Sequence, residues 1–325
     1  MRAALERHCN SVWYEGRQPG PFLRTLERLY RLRLGNRWHR PPSRPAIPVI
    51  VVGNLTVGGG GKTPVVMALA RHLAEAGRAV AVISRGYGGK APGEAWQVTG
   101  DSDPQVAGDE PVLIANSSQV PVWVCARRAA AFEAALDAGA EVVVADDGLQ
   151  HAALARSFEI CVVDGLRGFG NDRLLPAGPL RQPRQRLEEV DIVLVKGGGL
   201  ELQGAMEFDL CPDVLVSLDG SRRAQPHEWA GRRVSAACGI ANPDGFFASL
   251  AELEILASQH PYPDHHRFVP ADIDRLKGPV IVTAKDAVKL QRLDLAADVW
   301  VLEVSARLPN AVFDTVDCHV QDYCP

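Results

Sequence analysis

The stretch PVIVVGNLTVGGGGKTPVVMALARHLAEAG, residues 48–77, decides the fold. A short β-branched run ends at Gly53-Asn54. Four glycines fill 58–61, Lys62-Thr63 follow, and apolar residues at helical spacing continue to Gly77. Strand, glycine turn, Lys-Thr and helix are, in that order, the parts of a phosphate-binding loop. Glycine lets backbone N–H groups approach a phosphate, and the helix start favours anions. The lysine reaches the terminal phosphates, and the threonine can ligate Mg2+. The usual pattern opens with a glycine where this chain has Thr56, and a plain flexible turn is the competing explanation. Lys-Thr at a helix start has little structural purpose. Gly58, Gly59, Gly60, Gly61, Lys62 and Thr63 are therefore read as a nucleotide site, with Thr63 also a metal ligand.

Outward from the loop runs an α/β rhythm. Apolar strand-like segments at 79–89 (running into a glycine turn), 120–125, 141–151 (running into two carboxylates), 158–165 and 190–198 alternate with helical ones at 109–118 and 126–140, and 208–218 has strand character that would link two lobes. Continuous apolar strands between helices imply a parallel sheet covered on both faces. A second, smaller α/β set begins at residue 232. The expected division is a basic segment 1–45, a nucleotide lobe 46–205, a linker 206–231 and a second lobe 232–325, whose last residues return to either lobe.

VVVADDGLQH (142–151) ends a strand in two carboxylates. Ligands bind at that edge of open α/β sheets, so Asp146 and Asp147 are candidate Mg2+ ligands; the alternative is a cap for the next element. In SRGYGG (84–89), Arg85 suits a substrate phosphate or a neighbouring carboxylate. Asp109 of GDEP either caps the following helix or serves the site. YPDHHRF (262–268) clusters two histidines with an aspartate; a zinc site there lacks evident third and fourth ligands. Arg181, ending LLPAGPLR, suits phosphate, or else is a solvated arginine on a packed connector.

Composition narrows the class. Of 325 residues, 46% are hydrophobic and 23% charged, as in an ordinary globular chain. A net charge of −4 does not suggest a nucleic-acid partner. Residues 1–47 nevertheless carry ten Arg against three Glu. Within them PFLRTLERLYRLRLG (21–35) reads as a basic amphipathic helix, with Phe22, Leu23 and Leu26 among its apolar residues and Arg24, Arg28 and Arg31 between them. Seven scattered cysteines with no C-x-x-C pair fit a reducing, cytoplasmic compartment. No apolar run approaches the roughly 20 residues of a membrane span, and the N-terminus has no signal-peptide core.

Taken together and in order, VGNLTVGGGGKTP, SRGYGG, GDEP, DDGLQH, LLPAGPLR, PDHHRF and TAKDAVKL resemble the tetraacyldisaccharide 4′-kinase family of bacterial lipid A biosynthesis, over about residues 12–293. The resemblance implies a P-loop NTPase-like core and a smaller second α/β lobe. It implies transfer of the ATP γ-phosphate to the 4′-hydroxyl of tetraacyldisaccharide 1-phosphate, with Mg2+, giving lipid IVA. It places a catalytic pair on Asp109 and His265. His266 is the alternative partner and otherwise a substrate contact, as are Arg85 and Arg181. It also implies a peripheral enzyme, expected as a monomer, at the cytoplasmic face of the inner membrane. The basic helix would then lie on anionic lipids. The chain departs from the family pattern at Gly60 (usually Thr), Leu149 (Phe), Gln182 (Glu) and Ala284 (Glu). Gln182 puts in doubt any carboxylate at that spot. A soluble P-loop kinase or switch, and a nucleotide-binding scaffold without turnover, are the competing classes.

Overall fold

Two helices, α1 (Arg2–Trp13) and α2 (Pro21–Leu34), precede the sheet. β1 (Val49–Gly53) leads through the glycine run into α3 (Lys62–Glu75). There follow β2 (Val80–Ser84), β3 (Trp96–Val98), α4 (Pro104–Ala107), α5 (Asp109–Ser118), β4 (Val122–Val124) and α6 (Arg128–Asp137). β5 (Val142–Asp146), β6 (Phe158–Asp164) and β7 (Ile192–Lys196) complete the first half. The second half contains β8 (Met206–Ser217), β9 (Arg223–Ala224), β10 (Arg233–Cys238), α7 (Pro243–Glu252), β11 (Leu256–Pro261) and α8 (Pro270–Asp274). It ends with β12 (Val280–Thr283), α9 (Ala284–Leu290), β13 (Val299–Arg307) and α10 (Asn310–Tyr323). This computed structural model describes residues 2–35, 39, 44–86, 89 and 93–323, with side chains from residue 8 onward. Tyr87 and Gly88 of SRGYGG, and residues 40–43 of the proline-rich boundary, lie outside the described residues.

The strands form one sheet in the order β11-β10-β12-β13-β8-β7-β6-β1-β5-β2-β4-β3, with β9 on β8. In the first half β1 pairs in parallel with β5 and β6, and β3 alone runs antiparallel, on β4. All five residues of β1 are buried, as its unbroken β-branched run requires for a strand covered on both faces. One face packs under α3, the other under α6 and the connector that carries Leu174 and Leu180. The second half has its own two apolar layers, around Phe247 and around Ile273.

The segment expected to link the two lobes from residue 206 starts with β8, a strand that pairs on both sides. β8 pairs in parallel with β7 at its start and antiparallel with β13 along most of its length, with one register shift at Glu303/Val304, so backbone hydrogen bonds join the halves. The C-terminus returns to the first half. Val312, Val316 and Val320, spaced by four along α10, are buried in the layer that holds α3. Burial of each side chain is worth roughly 1.5–3 kcal/mol, enough to fix the helix there.

Candidate active site

The glycine loop leaves the C-terminal edge of the central strand. Gly58 and Gly61 take positive φ, 110° and 85°, which a side chain would strain. Gly61 caps α3 in this conformation, which puts Lys62 on the first turn of the helix. A Cβ at Gly60 would meet nothing closer than the Asn54 side chain at 3.5 Å, so glycine is not demanded there by a clash at Cβ.

Parallel pairing sets Val52 of β1 beside Asp146 of β5, which brings the two carboxylates to the foot of the loop. The backbone turns sharply there, with Asp147 at φ 49°, a left-handed conformation uncommon for a non-glycine residue. Arg128 holds that turn from the start of α6. It donates to the carbonyl oxygens of Asp146 and Asp147 at 3.0 and 2.8 Å. Arg156, fully buried, donates to the carbonyls of Gly148, Leu149, His151 and Leu154. Glu159 lies between Arg156 (3.2 Å) and Arg186 (2.6 Å), also buried. The DDGLQH loop is therefore shaped from beneath by guanidinium–carbonyl bonds.

The two carboxylates have opposite environments. Burial, then the neighbouring Asp147 charge, push Asp146 up to about 7. Its Oδ1 is buried without a hydrogen-bond partner. Burial acts on Asp147 too, but Lys62 and Arg181 outweigh it and hold that carboxyl well below its usual range. Arg181 grips Asp147 with both nitrogens, at 3.0 and 2.8 Å, and Lys62 Nζ stands 3.4 Å away. Arg181 and Lys62 also donate to the Asn54 side chain. Gln182 is buried and accepts from Gln150 at 2.9 Å. Gln150 in turn donates to the Asn54 carbonyl, so Gln182 braces the loop. Arg85 is exposed at the end of β2, its charge felt at Arg128 and His151.

The second lobe reaches the same edge. Asp109 is the first residue of α5, and its side chain makes no capping bond. It lies 3.1 Å from Nδ1 of His265. His265 sits at φ 58°, its N–H donating to the Gly239 carbonyl. The hydrogen bond to Asp109, larger than the opposing burial, raises the His265 pKa. Asp109 is lowered: burial is outweighed by the His265 bond and by Lys289 and Lys285. Lys285 pairs with Glu110 of α5 at 2.7 Å. Ala241 closes on the glycine loop, 3.9 Å from where a Cβ of Gly59 would stand. Thus side chains from both lobes face one edge.

Two expectations need correction. His266 does not face Asp109 or the loop; it is bonded to Asp272 at 3.1 Å and packed against Tyr262 and Phe268. His265 lies in a turn with left-handed backbone, so its side chain and that of His266 diverge, one toward Asp109 and the other toward Asp272. Nor does α2 present the full apolar stripe. Leu23 and Leu26 are half-buried, Tyr30 donates to the Arg181 carbonyl at 2.8 Å, and buried Glu27 pairs with Arg173. The helix is docked by that side; Phe22, Leu29 and Leu32 are exposed, with Arg24, Arg28 and Arg31 beside them. Among the described residues no group of three or more His, Cys, Asp or Glu is placed to hold a metal ion.

Sequence reasoning missed Asn54, Arg128 and Lys289. Asn54 was within the quoted loop, and Lys289 within TAKDAVKL. Arg128, in an alanine-rich helix, carried no local signal.

A profile of the family described as Tetraacyldisaccharide-1-P 4'-kinase matches residues 20–321. A Tetraacyldisaccharide 4'-kinase of Pseudomonas aeruginosa (strain LESB58) is 42% identical over 312 residues, 93% of each chain. Its namesake in Halorhodospira halophila is 46% identical over 301 residues, 90% of each. Among solved structures, the "apo" form of LpxK from Aquifex aeolicus in complex with ATP superposes with a TM-score of 0.74. That pair is 29% identical over 93% of this chain and 97% of the other.

Proposed function

This chain belongs to the Tetraacyldisaccharide-1-P 4'-kinase family, and from that premise we propose how its residues carry out the transfer. The protein is an ATP-dependent kinase of lipid A biosynthesis, and phosphorylates the 4′-hydroxyl of tetraacyldisaccharide 1-phosphate to give lipid IVA.

Lys62 and the backbone N–H groups of Gly58 to Gly61 hold the β- and γ-phosphates of ATP. Arg181 and Arg85 take substrate or transferring phosphate oxygens, which requires Arg181 to loosen its grip on Asp147. Asp109, oriented by His265, accepts the proton of the sugar hydroxyl. As that O–H bond breaks, the oxygen forms a bond to the γ-phosphorus, and the bond to the β–γ bridging oxygen breaks with ADP leaving. Closure of the lobes keeps water from competing as acceptor. The donors present suit Mg2+: Thr63, Asp147 and Asp146, whose buried Oδ1 lacks a partner, would hold it. When bound, the ion neutralises phosphate charge.

The 1–45 segment is the membrane-associating part, 46–205 the nucleotide lobe and 232–325 the lobe that delivers His265. Phe22, Leu29 and Leu32 enter the interface with Arg24, Arg28 and Arg31 on anionic headgroups, and Leu23 and Leu26 support them from the docked side. Among the described residues no helix is long and apolar enough to cross a membrane. The site of action is the cytoplasmic face of the inner membrane, with the protein peripheral and monomeric.

The observation that carries the catalytic reading is the 3.1 Å Asp109–His265 contact, made between motifs 156 residues apart in the chain. The test is incubation with ATP, Mg2+ and detergent-solubilised disaccharide 1-phosphate, followed by mass spectrometry. One added phosphate at the 4′ position is expected; ATP hydrolysis with unmodified lipid would overturn the reading.

A further inference from the structure

TAKDAVKL (283–290) has no part in the chemistry described so far, yet it builds a network that ends on Asp109. The Thr283 hydroxyl caps α9, accepting from the Asp286 N–H and donating to the Asp286 carboxylate at 2.7 Å. Asp286 is fully buried. It also accepts from the Gly239 N–H at 2.9 Å and from Lys289 Nζ at 2.7 Å. The Gly239 carbonyl in turn receives the His265 N–H. One buried carboxylate therefore fixes both the turn that carries His265 and the ammonium of Lys289.

That ammonium points out of the second lobe. Lys289 Nζ stands 3.8 Å from Asp109 Oδ2 and 5.2 Å from the centroid of the Phe268 ring. Its side chain is largely shielded from water. An opposite charge at such distance in a partly buried site favours the ionised carboxylate strongly. A lysine serving only to neutralise Asp286 would not need to lie between two carboxylates from different lobes.

We propose that Lys289 is a positioning residue for phosphate transfer: held by Asp286, it keeps Asp109 ionised and seated against the second lobe, ready to receive the acceptor proton. This rests on Asp109 being the base.

The other charges around Asp109 are identifiable. His265 comes from the loop, with Asp264 behind it. Lys285 of α9 is tied to Glu110 and Asp264 at 2.7 and 3.6 Å. Asp286 faces it through Lys289. From α3, packed on the same helix, Arg71 reaches the far end at the Ser117 carbonyl. The lysines and His265 together outweigh burial, in the direction the proposal needs.

The test is the pH dependence of kcat/KM for the full chain with ATP, Mg2+ and the disaccharide 1-phosphate, comparing wild type, Lys289→Gln and Lys289→Arg. The acid limb reports the free enzyme's base. Lys289→Gln should move that limb up by about one pH unit and regain much of its activity on the alkaline side. Lys289→Arg should restore the wild-type limb. A loss of activity by the same factor at every pH, with the limb unmoved, would show a merely structural role and overturn the proposal. Should thermal melts show Lys289→Gln unfolded, Lys289→Met/Asp286→Asn leaves no unpaired buried charge and should shift the limb the same way by less; an unmoved limb again refutes it. Asp109→Asn, run alongside, separates the two ideas: full turnover there sinks the base assignment itself.

Discussion

Nδ1 of His265 lies 3.1 Å from Oδ2 of Asp109, although the two are 156 residues apart and belong to different lobes. Neither segment holds the pair alone, so in the proposed mechanism the seating of residues 232–325 against α5 is part of the chemistry. The left-handed backbone at His265 is what turns its ring outward while His266 turns in. Such strain persists where surrounding structure fixes it, here the Gly239 carbonyl.

Replacing either member should spare nucleotide binding and cost transfer. Asp109→Ala and His265→Ala are expected to lower kcat by roughly 10²–10⁴-fold, the usual contribution of a positioned acid or base. ATP affinity, measured by calorimetry, should stay within a few-fold, since the phosphates are held by the loop. Wild-type turnover in either variant would remove the pair from the mechanism.

Asp146 offers a test with a fixed sign. Its folded pKa is raised to about 7, so between the ordinary carboxylate range and neutrality the folded state keeps a proton that the unfolded state has released. Stability therefore falls as pH rises through that window, and the burden is complete above 7. Asp146→Asn should stabilise the protein, by about 2 kcal/mol more at pH 8.5 than at pH 5.5, while abolishing transfer. Urea titrations at the two pH values measure this; equal effects would mean that the carboxyl is not held protonated.

Beneath the DDGLQH loop, Glu159 neutralises two guanidiniums, Arg156 and Arg186, none of them exposed. Glu159→Gln leaves Arg156 buried without its carboxylate partner and Arg186 with only the more exposed Glu189, at 3.6 Å. A loss of about 3–5 kcal/mol is expected in chemical denaturation. The rest of the DDGLQH loop should loosen with it, since Arg156 would no longer be held against the carbonyls of Gly148, Leu149 and His151. A variant as stable as wild type would show that water already reaches the cluster.

The membrane proposal is best tested at the surface of α2. Phe22 is 72% exposed and Leu32 78%, so neither supports the fold. Removing the helix would instead strip Glu27 from Arg173 and Tyr30 from the connector bearing Arg181. Phe22→Ser/Leu32→Ser should cut flotation with anionic phospholipid vesicles several-fold and leave the melting temperature unchanged. Undiminished flotation would place the contact elsewhere.

Much of this was legible because its causes are local. Consecutive β-branched residues, four glycines and Lys-Thr specify strand, turn and helix within thirty residues, and the apolar run ending in Asp146-Asp147 specifies the neighbouring strand. The parallel sheet follows from the alternation, and the family from motif order. TAKDAVKL was visible as a string without a role, because the residue its Lys289 stands beside, Asp109, is far away in the chain.

What the sequence by itself determined is the family and the groups available: a glycine run ending in Lys-Thr, two carboxylates at a strand end, an aspartate and a histidine pair in separated motifs, and a basic amphipathic helix. Only the tertiary structure decided how these face one another. It chose His265 over His266 and set Arg128 under the aspartates. It extended β8 from one half of the sheet to the other, and turned Tyr30 inward so that Phe22 and Leu32 face out. Each of those outcomes depends on burial and on charge pairing between distant segments, which local propensity does not encode.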